Sequence, residues 1–255
     1  MIKKITKKVA FLSDIHLPFE QTKLLNKTIE ILKYEKPDII VLGGDIIDFY
    51  TVSNWLIDKT SIQITQELNR IQEFLSNLRK AFPKKKMIYI EGNHEERLYK
   101  YVLKRADTFA PLLNYNLSVP SLLKLEKFKI FYINEPFKIG KLYYLHGHEK
   151  KTTGQVVHIA LTLLRWLNRS FICGHFHKFQ YFPQKEIDGN MKSGFVNGCL
   201  FDINKMPTPY EKINLQQYGF SIVYYFDDYF HITPIMFIPI KKDFIVFYNS
   251  SVEIF

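Results

Sequence analysis

The stretch "IYIEGNHEERLYKY", Ile88 to Tyr101, holds the first decision about this chain. An apolar, strand-like run stops at Glu91, and a helix-like run begins after Gly92-Asn93-His94. Turn chemistry is one reading, because Gly and Asn tolerate the backbone angles of a turn and Asn can cap a helix. A plain Gly-Asn or Gly-Ser would reverse the chain as well, so the histidine needs a second reading. The same kind of polar break recurs along the sequence.

Working outward, the first half alternates strand and helix patterns. "VAFLS" (Val9 to Ser13) and "PDIIVLGG" (Pro37 to Gly44) are short apolar runs that read as buried strands. Between them, "TKLLNKTIEILKY" (Thr22 to Tyr34) carries apolar residues at helical spacing. An amphipathic stretch from Gln63 to Ala81 then precedes Pro83 and the strand "KMIYIEG". This alternation predicts α/β units with helices covering a sheet. Glu95 to Lys104 reads as a helix. Phe109 to Lys127 is irregular, either an insertion leaning over a site or an ordinary helical connection. The second half is β-rich, with strands predicted in "KFKIFYI", "KLYYLHG", "SFICGHFH", "SGFVNGCLF", "GFSIVYYF" and "YFHITPIMFIPI", and one helix around Gly154 to Leu167. No linker or repeat interrupts the pattern. The expectation is one domain over 1–255, with a cap-like insertion around 95–127.

Bulk composition bounds the function. The chain has 255 residues, 47% of them hydrophobic, enough for one substantial core. No window approaches 18 uninterrupted apolar residues, so no transmembrane helix is predicted. The basic start "MIKKITKKVAFLSD" runs into an aspartate and lacks the form of a signal peptide. Cys173 and Cys199 form no C-x-x-C motif and read as buried free thiols, which fits a reducing, cytoplasmic compartment. The net charge of +10 favours polyanionic partners, though lysine-rich surface clusters give the same number.

Five polar clusters each close a predicted strand. "SDIH" gives Asp14 and His16, "GGDIID" gives Asp45 and Asp48, and "EGNHE" gives Asn93, His94 and Glu95. "YLHGHE" and "ICGHFHK" give His146, His148, His175 and His177. Functional groups of open α/β sheets collect beyond the carboxyl ends of the strands. Six of the eight histidines lie in these turns, beside three aspartates. One histidine at a strand end is usually structural, but six together are not explained that way. Carboxylates, imidazoles and an amide carbonyl form the ligand set for Mn²⁺, Fe²⁺ or Zn²⁺, and the lack of thiolates argues against a closed structural zinc site. The pattern reads as a catalytic metal site.

The ordered set D-x-H, G-D-x-x-D, G-N-H-E, H-G-H and G-H-x-H resembles the calcineurin-like metallophosphoesterase superfamily. Any one block is weak; five in order, from residue 14 to 177, are specific. The resemblance implies a four-layer α/β/β/α sandwich with mixed central β-sheets. It also implies two divalent metal ions, Mn²⁺ foremost, with Fe²⁺, Zn²⁺ or Mg²⁺ as alternatives. Asp14, His16, Asp45 and His177 would hold one metal, and Asp45, Asn93, His146 and His175 the second. A bridging carboxylate suits two cations roughly 3.5–4 Å apart. Asn93 is then a ligand that the turn aims, and His94 points at the phosphoryl group, oriented by Asp48 as its positioning carboxylate. His148 and Arg97 are candidates for substrate contacts, His148 also for orienting a ligand. Glu95 reads equally as a helix-start carboxylate favoured by the macrodipole.

The substrate is less determined. Protein phosphatases of the superfamily carry an arginine directly after G-D-x-x-D, where this chain has Phe49. Arg97, Lys100, Lys104 and Arg105 with Tyr99 and Tyr101 could track a phosphate backbone and stack bases, or form a solvated basic helix face. The leading expectation is a metal-dependent phosphodiesterase or nuclease acting on DNA, RNA or nucleotides. The alternatives are a phosphomonoesterase and a non-catalytic metal-binding protein.

Overall fold

The computed structural model describes residues 4–54, 58, 60–151, 157–207, 215–227, 229–249 and 251–255. In chain order the first half forms β1 (Lys7–Leu12), α1 (Thr22–Glu35), β2 (Ile39–Leu42), α2 (Ile64–Ala81), β3 (Lys86–Ile90), α3 (Glu95–Arg105), α4 (Val119–Leu122) and β4 (Ile130–Ile133). The second half forms β5 (Phe137–Ile139), β6 (Leu142–Tyr144), α5 (Ile159–Leu167), β7 (Phe171–Cys173), β8 (Gln180–Lys185), β9 (Met191–Val196), β10 (Tyr218–Phe226), β11 (Tyr229–Ile240), β12 (Asp243–Tyr248) and β13 (Ser251–Ile254). Among the described residues no helix is long and apolar enough to cross a membrane.

Two sheets organise these strands. One has eight strands in the order β13-β12-β11-β10-β1-β2-β3-β4, and the other has five in the order β5-β6-β7-β9-β8. Strands β1 to β4 pair in parallel, while β10 to β13 extend the sheet antiparallel beyond β1. Parallel strands need crossovers, which α1, α2 and the helical segment after β3 supply.

Alternation along each strand builds the layers. In β1, Ala10 and Leu12 enter the core that α1 and α2 cover, whereas Val9 and Phe11 face the other sheet. Met87 and Tyr89 against Ile88 and Ile90 repeat the division in β3. Both faces of these strands are buried, which is why they read as continuous apolar runs. From the five-stranded sheet, Leu142, Tyr144, Ile172 and Phe195 complete the inter-sheet core, and Tyr144 and Tyr225 pair their hydroxyls across it at 2.9 Å. On the outer face of that sheet, Phe171, Cys173 and Val196 pack against Leu163 and Leu164 of α5. The layers are therefore helix, sheet, sheet, helix. Each large apolar side chain buried in them contributes about 1.5–3 kcal/mol relative to exposure. Cys173 and Cys199 are buried thiols, as expected.

Local capping sets the helix ends. Gln63 and Gln66 form a reciprocal capping box at the start of α2. Lys36 and Asn168 adopt left-handed conformations that close α1 and α5. Three sequence-read elements shift. The strand read over 127–133 is confined to β4, because the preceding residues turn with Lys129 at φ 53°. The strand read over 193–201 stops at Val196, where the Asn197 side chain turns to Ser13 and Ser221. The helix read from Gly154 begins at Ile159; residues 152–156 lie outside the described residues. The segment after α3 runs through a 3₁₀ stretch, Asp107–Asn114, and α4 to β4, burying Val119, Leu123 and Leu125 in the helix-covered core.

Candidate active site

The turns after β1, β2 and β3 in one sheet, and after β6 and β7 in the other, meet at one end of the sandwich. Backbone bonds lace them together. The N–H of Asp14 donates to Gly44, those of Ile15 and His16 donate to Asp45, and that of Gly174 donates to His146. Asp14 accepts the His175 N–H on its carboxylate at 3.0 Å, joining the two sheets. Close approach requires glycine at two points: a Cβ on Gly44, at φ 88°, would stand 2.5 Å from His146 Nδ1, and one on Gly92 would stand 2.3 Å from Asp45 Oδ1.

Backbone strain concentrates here. Asp14, His16, Asp45, His175 and His177 all sit at positive φ, between 49° and 70°. Non-glycine residues adopt that region at a cost of order 1–3 kcal/mol each, and such residues cluster at functional sites.

Three groups of ligand atoms result. Asp14, His16 and His177 present atoms within 4.8 Å of one another, as do Asp45, His146 and His175, and a third set, His16, Asp48 and His94, shares His16 with the first. His16 Nδ1 is bonded to Asp48 at 3.0 Å, and its buried Nε2 has no hydrogen-bond partner; His177 Nε2 is likewise buried and unpartnered. In the second group, His146 Nδ1 is 2.8 Å from the Gly43 carbonyl, so that nitrogen carries the proton and donates. Its Nε2 then faces Asn93 Oδ1 at 3.1 Å and Asp45 Oδ2 at 3.1 Å. These contacts need either a proton on Nε2 or a bound cation between the acceptors. Asp45 Oδ2 also lies 4.0 Å from His16 Nε2, between the first two groups. The residues fit two divalent cations sharing Asp45.

Electrostatics follow the same layout. Burial pushes the Asp45 carboxyl up, but His146 and His94 overcome it and hold it well below the usual carboxylate range. Burial pulls His146 down, and Asp45 reverses this and lifts it to about 10. Burial and the neighbouring His94 pull His16 down to about 4, while burial and His146 pull His175 down to about 3. Neutral imidazoles, as at His16 and His175, are what metal ligation requires, and a cation at His146 would displace the proton that Asp45 otherwise favours.

His94 and Asp48, of the third group, stand beside the other two. His94 Nδ1 lies 3.1 Å from Asp48 Oδ2, and its backbone N–H donates to Asp45 Oδ1 at 2.9 Å. Asp48 therefore holds two rings at once, His94 and His16. Arg97 reaches in from α3, donating from Nη1 to Asp48 Oδ1 at 3.0 Å and placing Nη2 2.8 Å from His94 Nε2. That contact meets the lone pair of a neutral ring. Burial and Arg97 lower the His94 pKa while Asp45 and Asp48 raise it, with a net upward shift. Protonation of His94 would cost this contact, which is why Arg97 opposes the upward shift. His148 joins none of the ligand groups; its Nε2 is 3.2 Å from Glu96 Oε1, and that bond holds Glu96 down at about 2.

Three braces of the site are not evident from sequence. Glu95 is fully buried: Oε2 accepts the N–H groups of Asp45 and Gly92, and Oε1 accepts those of Ile46 and Ile47 and the Tyr89 hydroxyl. Glu149 accepts the N–H groups of His146 and Gly147. Glu67, on α2, takes the N–H groups of Tyr50 and Thr51 and pins the turn after Asp48; burial pushes its carboxyl up to about 6. The one sequence signal was an acidic residue directly after G-N-H. Glu95→Gln would turn an NH₂ group toward amide donors, and is expected to cost roughly 2–4 kcal/mol in urea unfolding with metal chelated. An unchanged midpoint would reduce Glu95 to a helix-start charge.

With this geometry in view, known proteins place the chain. The calcineurin-like phosphoesterase family model matches residues 7–198, well over half its length, and the chain belongs to that family. The family's members are binuclear metal phosphoesterases, and this chain has His/Asp groups that could bind metal. The Gene 54 proteins of Mycobacterium phages D29 and L5 are 26% and 27% identical over 185 residues, covering 68% of this chain and 70% of each relative. Among solved structures, Vacuolar Protein Sorting 29 from Cryptosporidium parvum aligns with a TM-score of 0.47 at 14% identity, covering 98% of this chain and 96% of that one. A dimetal phosphatase from Danio rerio aligns with a TM-score of 0.43 at 11% identity, covering 91% and 96%.

Proposed function

We propose that the chain is a two-metal phosphodiesterase acting on nucleic acid or nucleotides, in a reducing cytoplasmic compartment. The observation that carries this reading is the Asp48–His94–Arg97 array set directly against the two ligand groups. Asp14, His16, Asp45 and His177 would hold one cation, and Asp45, Asn93, His146 and His175 the other, with Mn²⁺ the first candidate. Bound there, the cations would supply Lewis-acid charge to the phosphoryl oxygens and lower the pKa of a nucleophilic water. The protein's own groups do the rest. Asp48 fixes the His94 ring through Nδ1, leaving Nε2 to face the ester. Arg97, released from Nε2, can donate to a phosphoryl oxygen while Asp48 keeps its guanidinium aimed. Because Asp48 already matches the Arg97 charge, the array suits a singly charged diester better than a dianionic monoester.

Digestion of end-labelled single- and double-stranded DNA in Mn²⁺, with an EDTA control, tests the reading. The expected result is metal-dependent cutting abolished by EDTA, with a product ladder showing exo- or endonucleolytic attack. Metal-loaded protein that leaves DNA intact yet hydrolyses phosphomonoesters would replace it with the monoesterase reading.

A further inference from the structure

The two sheets are unequal, and the eight-stranded one overhangs its partner. On β11 the side chains facing the five-stranded sheet include Phe230 and Ile232, which pack into the inter-sheet core. The same face continues along the strand to Met236 and Ile238, which are 40% and 43% exposed. Cross-strand pairing extends it outward. Ile238 lies opposite Ile245, and Ile245 opposite Ile254, forming one apolar rung. Phe247 lies opposite Val252, and Met236 falls in line with them one position beyond the Phe237–Val246 pair, forming a second. Directly opposite residues share a face, so all six side chains point the same way. Phe247, Val252 and Ile254 are each about 60% exposed.

The reverse face of these strands is conventional: Phe237, Phe244 and Val246 enter the helix-covered core, and Glu253 pairs with Lys27 of α1. The apolar rungs are thus not a frayed end but the outer surface of well-packed strands. Neither rung contains a charged residue, so the surface offers nothing to a phosphate backbone or lipid headgroup.

We propose that this overhang is the interface for a second copy of the chain, packed sheet on sheet about a two-fold axis. The six side chains leave roughly 500 Å² of apolar surface per copy, at the upper end of what a monomer leaves to water. Two such faces with their polar rims reach the roughly 1,200–2,000 Å² of a standard interface. An apolar sheet face with no charge in either rung can meet its own copy, as a two-fold contact demands. The net charge of +10 opposes association through space, so this contact strengthens as salt screens it.

Sedimentation velocity of the full chain at micromolar concentrations tests the proposal. The expected result is a species of twice the 30.3 kDa chain mass, more populated at higher salt. Phe247→Glu should raise its dissociation constant about 100-fold or more, because it buries an unpaired carboxylate in the contact. Ile254→Lys, at an exposed penultimate position, provides the same test should Phe247→Glu unfold, and circular-dichroism melting shows which variants remain folded. Phe109→Glu, on the exposed 3₁₀ stretch, should leave the dimer intact. A monomer at every concentration and salt, or a dimer indifferent to the folded variants among Phe247→Glu and Ile254→Lys, overturns the proposal.

Discussion

Asp45→Asn is expected to keep the protein folded while cutting phosphodiester hydrolysis by about 10³-fold or more, equivalent to about 4 kcal/mol of transition-state stabilisation. The substitution is nearly isosteric, so the effect isolates charge. Oδ1 accepts the His94 N–H, a role an amide oxygen can keep. Oδ2 lies 3.1 Å from His146 Nε2, 3.7 Å from His94 Nε2 and 4.0 Å from His16 Nε2, a central place between the ligand groups. An NH₂ there presents donors where ligand lone pairs converge and removes the charge shared by both cation positions. Bound metal, measured by mass spectrometry of the eluted ions, should fall from two per chain to one or none. The melting-temperature gain on adding Mn²⁺ should shrink with it. Without metal the variant should stay folded but melt below wild type, since removing one partner of the buried Asp45–His146 pair leaves the other uncompensated. Two bound ions with wild-type turnover in Asp45→Asn would remove Asp45 from its bridging place.

The parts of the fold legible in the sequence were those written in contiguous residues. "VAFLS", "PDIIVLGG" and "KMIYIEG" are buried on both faces, so each appears as an unbroken apolar run ended by a polar turn. The same local grammar put Asp14, Asp45, Asn93, His146 and His175 at strand ends, and the structure brings these turns together. Four strands were lost: "FKI" of β5, "QYFPQK" of β8 and "SVEI" of β13 carry too few buried positions to set a period against their turns, while "DFIVFY" of β12 buries alternate residues and was passed over in the run beyond β11. Long-range bonding was hidden for a different reason. Glu95 as a helix-start carboxylate and Glu95 as the acceptor for four backbone amides are identical in sequence, and only the folded loop of residues 45–47 separates them. Arg97 shows the same limit. Helical spacing sets it among the outward-facing Lys100 and Lys104, yet its guanidinium reaches back to Asp48 and His94.

His94→Ala is expected to leave both metal ions bound and KM little changed while lowering kcat by about 10²–10⁴-fold, the range for losing a positioned acid. His94 belongs to neither the Asp14–His16–His177 group nor the Asp45–His146–His175 group, although it shares a third with His16 and Asp48, so counting the bound metal decides between the two roles. Its Nε2 is the atom left to face an ester once Arg97 turns away. The size of the loss should depend on the leaving group. An alkoxide departing from a DNA strand needs a proton, whereas p-nitrophenolate does not, so the deficit should be large on DNA and small on bis(p-nitrophenyl) phosphate. The pH dependence has a definite sign. Asp45 and Asp48 raise the His94 pKa against burial, and an acid must be protonated to act. Wild-type kcat should therefore decline as pH rises through that raised value, and His94→Ala should lose that decline. Asp48→Asn should lower kcat as well, but it also loosens His16, so weaker metal binding should accompany the loss. Equal losses on both substrates would mean that His94 stabilises phosphoryl charge rather than donating a proton. Loss of metal from His94→Ala would make it a ligand, and would move the catalytic role to Arg97.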